Sequence, residues 1–196
     1  SDHGENLGDH QLMDHAYCLY DTLLHVPLII HAPGEFPSRQ RIRQQVHTLD
    51  LFPTILHLAG VQDGEDVWGQ VQGHTLFSSD VRGASERLAL AEYLEPQPAL
   101  PVLKKRYPGF DGTRYDRTLR MARTSEAKYI WASDGKDELY NFNSDPNEDR
   151  NCITAQPTLA AEFRAQIEQQ LGTFKPATTK QNNDELNTDM LRRLEQ

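Results

Sequence analysis

Residues 1–34 read SDHGENLGDHQLMDHAYCLYDTLLHVPLIIHAPG, and they carry most of the chemically distinctive side chains of this 196-residue chain. This stretch holds five of the eight histidines, the other three lie at positions 47, 57 and 74, and residues 75–196 contain none. Random scatter rarely gives so uneven a distribution. We therefore expect imidazole chemistry at the N-terminal end of the chain.

Asp2 and His3 place a carboxylate and an imidazole side by side. Neighbouring side chains of a strand point to opposite faces, but a turn at Gly4 can direct both toward one ion. Oxygen ligands favour calcium or magnesium, whereas imidazole favours zinc or manganese, so the pair alone does not select a metal. Taken alone, the pair also fits a second interpretation, in which Asp2 caps the next segment and His3 packs.

The first half of the chain predicts two strands and one helix. The apolar run 26–31 is followed by Ala-Pro-Gly, a pattern typical of a buried central strand. Residues 48–59 predict a helix with an apolar stripe that includes Ile55, and Gly60 is expected to end it. Residues 88–93 predict a second short strand.

The second half predicts an antiparallel meander and a helix. Residues 120–124, 128–132 and 138–142 are strand-like and are separated by short runs of turn residues. Residues 157–171 repeat apolar side chains every fourth position and predict a helix. Between these parts, residues 95–117 are rich in proline, glycine and charge and predict a long surface excursion. The last residues predict a polar segment, with a final short helix over 190–196.

The composition narrows the class of protein. Lys and Arg total 20 against 29 Asp and Glu, so the formal net charge is −9, which argues against a general nucleic-acid binder. No apolar run approaches the roughly 20 residues that span a bilayer, and no signal peptide is visible. The two cysteines, Cys18 and Cys152, are too few for a disulfide scaffold or a four-cysteine zinc site. The sequence leaves the compartment and the oligomeric state open.

The N-terminal motifs resemble the C-terminal half of a sulfatase, a member of the alkaline phosphatase superfamily. The family pattern S-D-(H/N)-G-x-x-L-G-(D/E)-H, a Lys or His, then (R/H)-V-P-L-I-I and P-G is similar to residues 1–34. The stretch LDLFPTI at 49–55 is similar to the helix that follows in the family. Residues 128–130 and 138–146 look like its C-terminal subdomain, so the resemblance extends from residue 1 to about residue 172.

The resemblance implies roles for three residues. Asp2 and His3 would bind the divalent metal of the active site, commonly calcium in sulfatases, with magnesium, manganese or zinc as alternatives. His15 stands where many sulfatases have a lysine, and as a catalytic residue it would contact the sulfate or protonate the leaving oxygen. His25 stands where arginine is usual, and it could face substrate or make a structural contact.

The resemblance also implies a nucleophile that these residues do not contain. Sulfatases use a formylglycine made from Cys or Ser in a C-x-P-S-R-like motif, and neither Cys18 nor Cys152 lies in one. We therefore expect the formylglycine upstream of a fragment that is inactive alone. The full-length protein would hydrolyse a sulfate ester of a small molecule or carbohydrate. The alternatives are a phosphodiesterase or phosphonate monoester hydrolase of the same superfamily, and a non-catalytic binding domain with a degenerate site.

The expected fold is α/β. Residues 1–94 would form the C-terminal portion of an alkaline-phosphatase-like mixed sheet flanked by helices, and residues 95–117 the excursion. Residues 118–174 would form a small antiparallel sheet with a packed helix. Residues 175–196 would be a polar tail.

Overall fold

The computed structural model describes residues 1–34, 41–42, 44–61, 68–77, 87–94 and 99–173. The predicted tail and final helix over 190–196 lie outside these residues. The described strands and helices are, in chain order, β1 Asn6–Leu7, β2 Met13–Asp14, α1 Asp21–Leu24, α2 Leu51–Leu58, β3 Ala89–Tyr93, α3 Ala99–Arg106, β4 Leu119–Arg123, β5 Ala127–Ala132, β6 Glu138–Asn141 and α4 Pro157–Thr173. Short 3₁₀ helices cover Asp9–Gln11, Thr48–Asp50 and Thr113–Tyr115.

The predicted three-stranded meander is confirmed as β4-β5-β6. Strand β3, which was expected in the mixed sheet of residues 1–94, pairs with β4 instead and makes the antiparallel sheet four-stranded, in the order β3-β4-β5-β6. Met121 faces Ile130 in the register of β4 and β5, and Tyr129 faces Leu139 in that of β5 and β6. The turn between β5 and β6 contains Gly135 with φ +75°, a conformation that glycine adopts without strain. Turn residues and alternating apolar positions therefore specify this sheet.

Helix α4 covers one face of the sheet, as its apolar spacing predicts. Phe163 and Ile167 are buried and pack with Tyr129 and Leu139 of the strands. The rings of Tyr129 and Phe163 stack with centroids 6.5 Å apart. The α/β class and the antiparallel unit with a packed helix are thus confirmed.

The opposite face of the sheet carries the N-terminal segment. Cys18, Leu19 and Leu23 are buried in one cluster with Met121 and Ile130. Cys18 acts there as a small apolar filler, as the sequence indicates, and burial raises the pKa of its thiol. Because strand residues alternate, Lys128, Ile130 and Ala132 all point toward this N-terminal segment. The sheet is thus the support on which residues 1–25 lie.

A buried network of charges ties the N-terminal segment to the sheet. Lys128 is fully buried and its Nζ lies 2.5 Å from Oδ1 of Asp21 and 2.7 Å from Oε1 of Glu148. Arg123 donates to both carboxylate oxygens of Asp21, at 3.1 and 2.9 Å. Burial alone would raise the pKa of Asp21, but Lys128 and Arg123 outweigh it and hold that pKa below its usual value. Asp21 is therefore ionised at the start of α1.

The expectation of a strand over residues 26–31 is wrong. Residues 26–31 form no strand, and Ile29 is 91% exposed, because within the described residues no strand lies beside this run to pair with it. Helix α2 forms where predicted, but its apolar stripe faces outward, with Ile55 60% exposed, while Pro53 and Thr54 are buried. Thr54 is fixed by hydrogen bonds to the backbone of Asp50 and Leu76.

The 95–117 excursion contains regular structure that its composition does not predict. Helix α3 lies within it, anchored by Leu100, which is 2% exposed. Among the described residues, no helix has both the length and the apolar content needed to cross a bilayer.

Candidate functional site

The N-terminal hairpin of β1 and β2 has an unusually strained backbone. Between residues 8 and 17, left-handed φ angles occur at Gly8, His10, Gln11, Asp14 and Tyr17. Four of these five carry side chains, for which this conformation is costly, and such strain concentrates at functional sites. The hairpin must therefore be held in place by contacts around it.

Buried Asn6 supplies much of that support. Its Nδ2 donates to the carbonyl oxygen of Asp14 at 3.0 Å, and its Oδ1 accepts a 2.7 Å bond from Oγ1 of Thr22. Asn6 is completely buried, so loss of either bond would leave a polar group unsatisfied. One amide side chain thus locks the hairpin to helix α1.

The hairpin brings His3, Glu5 and His15 together. Asn6 pairs with Asp14, so the next position of the register places Glu5 beside His15. His3 and Glu5 are two residues apart and share one side of an extended segment. The imidazole rings of His3 and His15 stack, with centroids 4.3 Å apart and an interplanar angle of 24°. Two of the three predicted site residues are therefore in direct contact.

Two carboxylates fix the orientation of His15. Its Nδ1 lies 3.1 Å from Oε2 of Glu5 and 2.8 Å from Oδ1 of Asp14. Ionised carboxylates only accept hydrogen bonds, so Nδ1 carries a hydrogen, which it donates to Glu5. Oδ1 of Asp14 accepts a 2.7 Å bond from the backbone N–H of His15. Nε2 is then the nitrogen of His15 that can exchange a proton, and the side chain is half exposed.

His3 presents its other nitrogen in the same way. Its Nδ1 donates to the carbonyl oxygen of Gly4 at 2.8 Å, so Nε2 carries the lone pair. Oδ2 of Asp2, the third predicted site residue, lies 4.0 Å from this Nε2. A hydrogen bond from its own backbone N–H and the nearby His3 lower the pKa of the exposed Asp2 carboxyl, which is therefore ionised.

The donor atoms of this cluster fit a divalent cation. His3, Glu5 and His15 each offer one ligand atom, these atoms lie within 4.8 Å of one another, and all three side chains are accessible. Imidazole nitrogens and carboxylate oxygens are ligand types with which proteins hold divalent cations, so these three residues would be able to bind one together. A carbonyl that receives the Nδ1 hydrogen is also the usual partner of a metal-binding histidine.

The remaining N-terminal histidines lie outside the cluster. His10 stacks on Tyr20 at 3.7 Å and its carbonyl accepts a 2.7 Å bond from Arg114. Nδ1 of His25 lies 3.8 Å from Oδ2 of Asp21, so this ring makes a structural contact. His57 stacks on Phe77.

Glu5 and Asp14 are functional candidates that the sequence analysis missed. The available signal was the hairpin itself: a five-residue turn region between two short strands sets a register in which position 5 faces position 15. Short strands of two residues give little periodicity, so that register was not visible.

Gly4 lies where no side chain fits, which gives a first prediction. Its N–H donates to the carbonyl oxygen of Leu23 at 2.9 Å, and a Cβ at this position would lie 1.9 Å from the carbonyl oxygen of Thr22. We expect Gly4→Ala to push residues 1–5 away from α1 and to lower the free energy of unfolding by about 3 kcal/mol in urea denaturation.

Gly109→Ala is the matched control for that prediction. No heavy atom lies within 4 Å of the Cβ it would add, so its effect should stay within about 0.5 kcal/mol. Equal losses in the two variants would show that the close approach at Gly4 is not the cause.

The comparisons with known proteins bear on the segment that carries this cluster. The sequence model of the Sulfatase family matches residues 1–61. The chain is 30% identical over 154 residues to the uncharacterized sulfatase YidJ of Escherichia coli K12, covering 78% of this chain and 27% of YidJ. It is 28% identical over 166 residues to arylsulfatase K of Bos taurus, covering 83% of this chain and 28% of that protein.

A solved structure supports the fold. The structure of BT4656, in complex with its substrate D-glucosamine-2-N,6-O-disulfate, matches with a TM-score of 0.62 and 22% identity. The match covers 93% of this chain and 35% of BT4656, and it confirms the expected similarity of fold. The chain spans only about 28% of the length of the two curated relatives, arylsulfatase K and YidJ. The family match over residues 1–61, the sequence relatives and the shared fold together show that the chain is similar to part of a sulfatase.

Proposed function

We propose that the full-length protein hydrolyses a sulfate ester in a metal-dependent site to which Asp2, His3 and His15 contribute. The observation that carries the proposal is the stacked pair of His3 and His15, with Asp2 and Glu5 around it, inside the segment matched by the Sulfatase family. Sulfatases generally use a divalent metal. Clustered carboxylates and imidazoles of suitable geometry are what such a site requires.

Asp2 and His3 are the proposed metal ligands. Oδ2 of the ionised Asp2 carboxylate lies 4.0 Å from Nε2 of His3, and a carboxylate oxygen of Glu5 lies within 4.8 Å of a ring nitrogen of His3. When bound, the metal supplies positive charge to the oxygens of the sulfate ester. Calcium is our first choice from the family, whereas the imidazole of His3 also accommodates manganese or zinc.

His15 is the proposed catalytic acid. Its Nδ1 is held by Glu5 and Asp14, which leaves Nε2 to donate a proton to the leaving oxygen of the ester. Glu5 and Asp14 act through His15 and are positioning residues. Their role resembles that of any carboxylate that fixes the tautomer of a catalytic histidine.

The nucleophile is proposed to be a formylglycine elsewhere in the full-length protein. The proposed substrate is a sulfated small molecule or carbohydrate. The complex of BT4656 with a disulfated glucosamine supports a carbohydrate, because the two chains share their fold.

Hydrolysis of a phosphodiester or phosphonate monoester is the second candidate. The observation that favours it is His3, because many sulfatases have Asn at the corresponding position. Both reactions need positive charge around a tetrahedral anion, so the cluster itself does not separate them.

A paired assay tests the proposal. We expect full-length protein to hydrolyse an aryl sulfate with a higher kcat/KM than the matching aryl phosphate diester, and to lose that activity after chelation. We expect Asp2→Ala to weaken metal binding by about 10–100-fold, measured by elemental analysis after dialysis.

Each other outcome of the assay contradicts a defined part of the proposal. Preference for the phosphorus ester would establish the second candidate. Protein that binds no metal and cleaves neither ester would be a non-catalytic binding domain. Unchanged metal content and activity in Asp2→Ala would remove Asp2 from the ligands.

A further inference from the structure

The segment 99–117 is a basic region in an acidic protein. It carries five cationic side chains and two carboxylates, whereas the chain as a whole has a formal net charge of −9. An excess of one sign in a local region creates a field that attracts ligands of the opposite sign. Such a field acts on ligands of the His3–His15 cluster only if the segment lies beside that cluster.

The segment contacts the hairpin on both sides of His15. Nη2 of Arg114 donates to the carbonyl oxygen of His10 at 2.7 Å. Tyr115 makes an edge contact with Tyr17, with ring centroids 5.1 Å apart. His10 precedes His15 and Tyr17 follows it, so the segment borders the loop that carries the proposed acid.

The segment is also well anchored, so its exposed side chains have a defined support. Lys104 pairs with Asp116 at 2.7 Å and thereby joins helix α3 to the returning chain. The rings of Phe110 and Tyr115 lie nearly parallel, 6.1 Å apart. Tyr115 packs in turn against the core cluster beneath the hairpin.

Lys105 and Arg106 carry charges for which the described residues provide no carboxylate partner. Both are exposed, and within the described residues neither has a carboxylate oxygen within 4 Å. The guanidinium carbon of Arg106 lies 5.8 Å from the ring centroid of exposed Tyr107, so a cation and an aromatic ring are adjacent on the surface. Guanidinium and ammonium groups bind tetrahedral oxyanions well, and neighbouring aromatic faces suit the apolar faces of sugar rings.

We propose that the segment 99–117 forms a subsite for a sulfated saccharide, in which Lys105 and Arg106 bind sulfate groups other than the one that is cleaved. The combination of cations with aromatic rings beside the hairpin favours a saccharide over a nucleic acid, which the acidic remainder of the surface repels. The proposal deepens the proposed sulfatase function, on which the identity of the ligand rests.

The test combines charge reversal with two substrates of different size. In full-length protein, the double variant Lys105→Glu, Arg106→Glu should weaken binding of a labelled disulfated disaccharide by about tenfold or more. Its kcat/KM for a small aryl monosulfate should stay within about twofold of the unmodified protein, because that substrate does not reach the subsite.

Arg150→Glu with Arg164→Glu is the matched control, since it changes the net charge equally at two exposed positions outside the segment. This variant should bind the disaccharide normally. Equal weakening in both double variants, or none in the first, would overturn the subsite. Binding of single-stranded DNA as tight as that of the disaccharide would overturn the saccharide assignment. Disaccharide binding without any aryl sulfate hydrolysis would instead refute the proposed function and leave the subsite intact.

Discussion

Replacing His15 by Gln is expected to lower kcat for an alkyl sulfate by about 10²–10⁴-fold. Glutamine can still hydrogen-bond to Glu5 and Asp14, but it cannot donate a proton to the leaving oxygen. An alkoxide is a poor leaving group and depends on that proton. A nitrophenolate leaves readily, so kcat for the matching aryl sulfate should fall by no more than about tenfold.

The ratio of the two losses separates two roles of His15. If His15 only bound the sulfate group, both esters would lose activity to the same degree, because the sulfate is common to them. The control is His31→Gln, which removes an exposed imidazole outside the cluster and should leave both rates unchanged. Steady-state kinetics of full-length protein with the two esters provide the measurement.

Local patterns predicted the C-terminal sheet and helix correctly because those elements pair with and pack against one another. Strands β4, β5 and β6 pair with their chain neighbours, and α4 packs on them with Phe163 and Ile167. Apolar periodicity and turn residues describe such short-range arrangements well.

Periodicity failed where burial depends on a neighbour that the pattern does not specify. The run 26–31 is as apolar as a central strand, yet Ile29 is 91% exposed. Ile55 in α2 is likewise exposed, because its apolar stripe predicts a helix but does not specify which element packs against that helix. In both places, apolar periodicity alone does not predict which side chains are buried.

The candidate site was only partly visible in the sequence for a related reason. Resemblance placed Asp2, His3 and His15 in one site, but the contact of His15 with Glu5 and Asp14 depends on the backbone geometry of the hairpin. Asp14 has φ +76°, a conformation that aspartate adopts more readily than most residues but that the sequence alone does not assign to this position.

The charge network beneath the hairpin did have a sequence signal. On β5, Lys128 shares its face with Ile130 and Ala132, and a lysine at an inward position of a strand needs a buried anion. The partner could not be named, because Asp21 and Glu148 are 107 and 20 positions away along the chain. Asp21 follows directly on the hairpin segment, so the network fixes the position of the candidate site over the sheet.

Lys128→Met is therefore expected to lower the free energy of unfolding by about 3–5 kcal/mol, the cost of breaking a buried ion pair from one side. Methionine fills a similar volume but leaves Glu148, whose carboxylate is 2% exposed, without its cation. Asp21 keeps Arg123. Burial already raises the pKa of Glu148, and loss of Lys128 should raise it further.

The pH dependence of that loss identifies its cause. A carboxyl whose pKa is raised in the folded state stabilises the fold at low pH, and this contribution disappears as the pH rises through the folded pKa. The deficit of Lys128→Met should therefore be smaller at pH 5 than at pH 8 in urea denaturation followed by Trp131 fluorescence. Lys136→Met, which removes a lysine that is 74% exposed, should change stability by no more than about 0.5 kcal/mol at either pH. A deficit in Lys128→Met that did not vary with pH would mean that lost packing, rather than the uncompensated carboxylate, destabilises the protein.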